Sequence, residues 1–131
     1  MLAALVCLAG CARKPVTASE LSSELTSIES NASESELFIQ ELRAGKMTGP
    51  FARAHTTYLA VEIADARQKL DSAPAGSGLE QKLAETRDQV RLLSDQVTRL
   101  SSSLNQPRQL DEIEQNIKRI HDRLKKMRAA L

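Results

Sequence analysis

The sequence predicts an all-α protein, an antiparallel up-down-up-down four-helix bundle with coiled-coil-like seams. Three observations carry that expectation. Apolar residues recur every three or four positions, most regularly from Leu79 onward. Every glycine and proline after Cys11 falls where a helix should start or stop. Aromatics are scarce, Phe38, Phe51 and Tyr58 with no tryptophan, so the seams must be filled by aliphatic side chains.

The first helix is expected over residues 17–44. Pro15 precedes it, Thr17 and Glu20 spell a capping box, and Gly45 offers the left-handed stop that glycine adopts cheaply. Its seam reads Leu21, Leu25, Ile28, Ala32, Ser35, Ile39 and Leu42, small and polar in the middle. The second helix, 49–72, opens at Gly49 and Pro50 and carries Ala52, Thr56, Leu59, Ile63, Ala66 and Leu70. Phe51, Ala54, Tyr58 and Val61 widen its apolar side, which predicts a helix closely surrounded by its neighbours.

The third helix, 77–104, starts on a second capping box, Ser77 with Glu80. Leu79, Leu83, Thr86, Val90, Leu93, Val97, Leu100 and Leu104 then alternate steps of four and three. The fourth, 107–131, continues with Leu110, Ile113, Ile117, Ile120, Leu124, Met127 and Leu131. A period of about 3.5 residues is a coiled-coil seam. The phase slips between Leu104 and Leu110, with Pro107 in the gap, so the chain turns back there. Stretches of about 23 to 28 residues, roughly 35 to 42 Å each as helix, suit an antiparallel bundle. The alternative is two helical hairpins joined flexibly through Ser72–Gly78, the longest and loosest link.

Net charge is only +1, so the overall balance gives nucleic acid no support as a partner. The charges are nevertheless segregated. Glu20, Glu24, Glu29, Glu34, Glu36 and Glu41 come with no base among them. Near the C-terminus Lys118, Arg119, Arg123, Lys125, Lys126 and Arg128 face only Asp122. In up-down topology the last helix lies antiparallel to the first, so the basic end meets the acidic start. The bases then either answer Glu20 and Glu24 or form a membrane-facing cluster beside the N-terminus. Acids of the first helix not used in this way read as a solvated face.

Residues Met1–Gly10 are apolar or small and too few to span a bilayer, which takes about 20 residues. They end in Leu8-Ala9-Gly10-Cys11. This resembles the lipobox of bacterial lipoproteins, an aliphatic and two small residues before the cysteine that receives diacylglycerol. The resemblance implies a signal peptide over 1–10, lipidation of Cys11, a tether over 11–16 and a helical bundle over 17–131. It implies a membrane anchor in the bacterial envelope, facing the periplasm. Ala12 in the position after the cysteine implies the outer membrane. Cys7 would leave with the signal. No lysine or arginine precedes the apolar run, a departure from the pattern that an upstream start would explain.

Catalytic and cofactor chemistry find little footing. There is no phosphate-cradling glycine loop and no nucleophile elbow. His55 and His121 lie at different heights on helices that run in the same direction, offset by roughly 13 Å, too far for joint ligation. No cofactor, no metal and no enzymatic activity are expected. Phe38, Phe51, His55 and Tyr58 should gather at the tip of the first hairpin. They either plug the bundle end or form a docking patch for an envelope protein. The expected function is a lipid-anchored, non-catalytic interaction or scaffolding module. The alternative is a carrier of a small apolar ligand, with Ala32, Ser35, Thr56 and Ala66 as the only candidates for an internal cavity.

Overall fold

The computed structural model describes residues 13–131, so Cys11 and the expected signal peptide lie outside the described residues. Four helices follow in order: α1 (Ala18–Arg43), α2 (Gly49–Ser72), α3 (Glu80–Ser101) and α4 (Pro107–Ala129). They form the expected four-helix bundle. Cross-links at both ends fix its directions. Glu29 in the first half of α1 bonds Arg128 near the end of α4, and Arg43 at the end of α1 bonds Asp111 and Glu114 toward the start of α4. Arg123 reaches Glu85 and Arg99 reaches Glu112, so α3 and α4 are antiparallel as well. The α1–α4 and α2–α3 pairings are the most extensive, which removes the reading of two independent hairpins.

Leu83, Thr86, Val90, Leu93, Val97 and Leu100 of α3 are all buried, as are Leu110, Ile113, Ile117, Ile120 and Leu124 of α4. The seam residues of α1 and α2 complete one continuous core. The bundle is rhombic in section. α1 and α3 touch across the short diagonal, while α2 and α4 do not touch. α2 packs fully on α3 and only sparsely on α1. The expectation that α2 is closely surrounded is therefore corrected: Phe51, Ala54, Tyr58 and Val61 are exposed.

Local signals explain most of the boundaries. The Thr17 hydroxyl accepts the Glu20 amide at 3.2 Å, and the Glu20 carboxylate accepts the Thr17 amide at 2.8 Å. That reciprocal bonding holds the Glu20 carboxyl below its ordinary value, through the Thr17 amide first and its hydroxyl second. After α1, Gly45 stands at φ 70°. Its amide donates to Leu42 and that of Lys46 to Glu41, a Schellman closure that satisfies two carbonyls.

The second capping box is not made. α3 begins at Glu80, its N-cap position is Leu79, and no side chain caps it. A backbone turn from the Leu79 amide to the Gly76 carbonyl, with Gly78 at φ 77°, starts the helix later than the Ser77 signal implies. At the other end α3 stops at Ser101, and Leu104 packs on the core from the following turn.

The expectation of a loose Ser72–Gly78 link is also corrected. The Val16 amide donates to Pro74 at 2.9 Å and the Gly76 amide to Val16 at 3.1 Å, a single β-bridge. Arg13 donates to the Ser72 carbonyl, and Arg87 of α3 donates to the Leu70 and Ala73 carbonyls. The link is clamped on both sides. It also ties the segment before α1 to the far end of α2.

Candidate functional site

The first hairpin brings Phe38, Phe51, His55 and Tyr58 together, with His55 at the centre. The ring centroid of Phe38 lies 5.1 Å from that of His55, and the Phe51 ring 5.8 Å away, both nearly parallel to it. Tyr58 sits 5.8 Å from His55 at a tilt of 39°. The α2 members are placed by helical spacing, since Phe51 is one turn before His55 and Tyr58 one turn after. Phe38 comes from α1.

Burial divides this cluster. Phe38 is 2% exposed and supports the imidazole from inside, so it is unavailable to a partner. Phe51 and Tyr58 are 55% and 49% exposed. One ring plugs the bundle end, and two line its surface. His55 Nε2 stands 3.1 Å from Glu34 Oε1, which fixes the imidazole between α1 and its stacked neighbours. Leu37, one turn past Glu34, and Val61, one turn past Tyr58, are also exposed large apolar residues. Neither belonged to the cluster that the sequence suggested.

His121 sits elsewhere. Its Nδ1 lies 2.7 Å from Glu36 Oε1, and both side chains are mostly buried. The two histidines are thus used separately, clamping α1 to α2 and to α4 through Glu34 and Glu36. Among the described residues no three His, Cys, Asp or Glu side chains converge on a point where a metal could sit.

The basic C-terminal turn is divided too. Arg128 donates to both oxygens of the nearly buried Glu29 carboxylate, at 2.6 and 3.2 Å. Those hydrogen bonds, reinforced by the charge of Glu29, raise the guanidinium above its ordinary value. Arg123 answers Glu85, and Arg119 donates to Asn116. The acid that meets the C-terminal turn is therefore Glu29 and not the expected Glu20 or Glu24. Glu29 and Glu36 also leave the face that was read as solvated. Lys118, Lys125 and Lys126 are exposed and make no ion pair among the described residues.

This basic end lies beside the start of α1. Leu21 and Leu25 line an apolar cleft of about 220 Å³ together with Met127, Ala130 and Leu131. Ala32, Ser35, Thr56 and Ala66, the candidates for an internal ligand cavity, are buried and line none of that cleft. The Ser35 hydroxyl donates to Asn31 and that of Thr56 to Arg53, so both polar groups are satisfied within their own helices.

The fold and this surface define a class: a four-helix bundle with an exposed aromatic face at the end remote from its N-terminus. No known family, curated protein or solved structure matches the chain.

Proposed function

We propose that this chain is a lipid-anchored, non-catalytic interaction module of the bacterial envelope. It is held in the outer membrane by acylated Cys11, faces the periplasm, and presents the hairpin tip to a protein partner. The observation that carries the reading is the placement of Phe51 and Tyr58. These are costly side chains to leave in water, because each half-exposed ring forgoes burial on the order of 1 kcal/mol or more. Phe38 and His55 hold them from behind, which makes the face rigid before any partner arrives.

Position along the bundle supports the same reading. Phe38 lies 20 residues along α1 from Ala18, roughly 30 Å of helix, so an anchor at Cys11 would hold the aromatic face well clear of the lipid. Lys125 and Lys126, unpaired among the described residues, belong to the opposite, anchored end, where an anionic surface would attract them, while Lys118 stands at the middle of α4. Among the described residues no helix is long and apolar enough to cross a membrane.

Two measurements test the proposal. Labelling cells with an acyl analogue should tag the wild type and not Cys11→Ser; equal labelling of the two removes the anchor. Complexes purified from solubilised envelopes should retain a protein with the wild type that Phe51→Ser/Tyr58→Ser does not retain. Identical capture by both removes the aromatic face.

A further inference from the structure

The exposed side of α2 is a second seam. Phe51, Ala54, Tyr58 and Val61 follow at steps of three, four and three, the spacing by which one helix meets another. The helix uses different residues for its own core: Ala52, Thr56, Leu59, Ile63, Ala66 and Leu70. α2 does not touch α4, and its contact with α1 is sparse. The second seam therefore has no other helix laid along it among the described residues. Leu37 of α1, 56% exposed and one turn past Glu34, adds to the exposed apolar surface.

Acidic residues border this seam. Glu34 and Glu41 stand seven residues apart on the α2 side of α1, the first against His55. Glu62 borders it on α2 and Asp65, four residues past Val61, takes the next position along it; both are exposed and make no ion pair among the described residues. The nearby base Lys46 is bonded to Glu41 at 3.3 Å. Arg53 lies toward the end of α3, beside Ser101 and Ser102. Lys69 follows two turns past Val61. With Glu34, Glu41, Glu62 and Asp65 against Lys46 and Lys69, the surroundings of the apolar line are net acidic.

Area decides between kinds of occupant. A half-exposed aromatic ring leaves roughly 100 Å² open, so the two rings with Leu37, Val61 and Ala54 present on the order of 400 Å². A stable dimer needs about 800 Å² from each partner, whereas a patch of this size suits one face of a single helix. We propose that this face receives an amphipathic helix of another protein, with apolar anchors on one side flanked by lysine or arginine. The inference rests on the reading of the chain as an interaction module and names the chemistry of its partner.

The test uses the full chain in nanodiscs of zwitterionic lipid and two labelled helical peptides of about three heptads. Both carry leucine at the seam positions; one has lysine at the flanks and the other glutamate. All variants share the same disc, so adsorption of peptide to lipid cancels. Fluorescence anisotropy should show the lysine peptide binding about tenfold or more tightly than the glutamate peptide, and Phe51→Ser/Tyr58→Ser weakening it about tenfold. Val61→Ser, a milder change, should weaken it severalfold, and circular dichroism should show each variant still helical. Glu62→Lys/Asp65→Lys should shift the preference toward the glutamate peptide.

Equal binding of the two peptides to the wild type overturns the proposal, as does unchanged affinity after loss of both rings. Sedimentation that shows a dimer dissolved by Tyr58→Ser gives the face to a second copy and overturns it too. If an envelope protein is still captured through Phe51 and Tyr58 while the peptides bind alike, the interaction module stands and the basic helix falls.

Discussion

Leu92 and Leu93 are neighbours in sequence and opposites in environment. Leu93 is fully buried on α3, which like α1 touches all three other helices, whereas Leu92 is 42% exposed on its outer side. Leu93→Ala removes three carbons, and at about 0.8 kcal/mol each the lost transfer free energy is about 2.4 kcal/mol. Helices on several sides keep the site from collapsing. A residual void of about 50 Å³ then adds about 1.2 kcal/mol, for a total near 3.6 kcal/mol. Leu92→Ala leaves no void, because water fills the space, and should cost about 1 kcal/mol. Urea unfolding followed by circular dichroism reads the contrast. With a slope of about 2 kcal/mol per molar, the midpoint should fall by about 1.8 M for Leu93→Ala and about 0.5 M for Leu92→Ala. Equal shifts would refute the assignment of Leu93 to the seam.

Three other expectations concern the ends of the bundle. A Cβ at residue 76 would collide with the Val16 carbonyl oxygen, so Gly76→Ala should break the β-bridge and cost about 1 to 3 kcal/mol in a thermal melt; a variant as stable as wild type would show the bridge to be idle. Glu20→Gln keeps the shape of the capping box and removes its charge. Because the Glu20 carboxyl is held below 4.5 when folded, its stabilisation is present above 4.5 and is lost as pH falls through the folded value. The variant should therefore melt below wild type at neutral pH and match it in acid, and a constant gap would rule out the charge as the cause. Finally, a form starting at Arg13 should bind anionic vesicles through Lys125 and Lys126, each worth up to about 1 kcal/mol near the surface. Lys125→Glu/Lys126→Glu should abolish that binding, and unchanged binding would contradict a membrane-facing role.

The seams of α3 and α4 were legible because their period is unbroken: each seam residue from Leu83 to Leu100 and from Leu110 to Leu124 is buried as its spacing implies, and only Leu79, Leu104, Met127 and Leu131 at the ends are partly so. The Thr17 box and the Gly45 stop were legible because both are local, made within six residues of chain. What failed depended on distant partners. Ser77 and Glu80 have the right spacing, but the turn at Gly76–Leu79 delays the helix. The bridge between Val16 and Ala75 pairs single residues far apart, which leaves no periodic trace. The apolar residues on the second side of α2 were recognised and assigned to the interior, because spacing alone does not distinguish a neighbouring helix from water. The aromatic cluster was found from the proximity of its members to the Gly45 turn. Its division into a buried Phe38 and an exposed Phe51 and Tyr58 required the actual separation of α1 and α2. Glu34 and Glu36 are two residues apart, and only the packing shows that they serve α2 and α4 respectively.

The central claim is that the α1–α2 face, held away from the membrane by a lipid anchor, is where this protein meets its partner. Site-specific photo-crosslinking in living cells addresses it directly. A photoreactive residue in place of Tyr58 or Val61 should give a discrete adduct with another protein. The same residue in place of Asp95 or Gln115, exposed on α3 and α4, should give none, and adding Cys11→Ser should weaken the adduct at Tyr58. Adducts of equal yield at all four positions, or none at Tyr58 and Val61, would contradict the account.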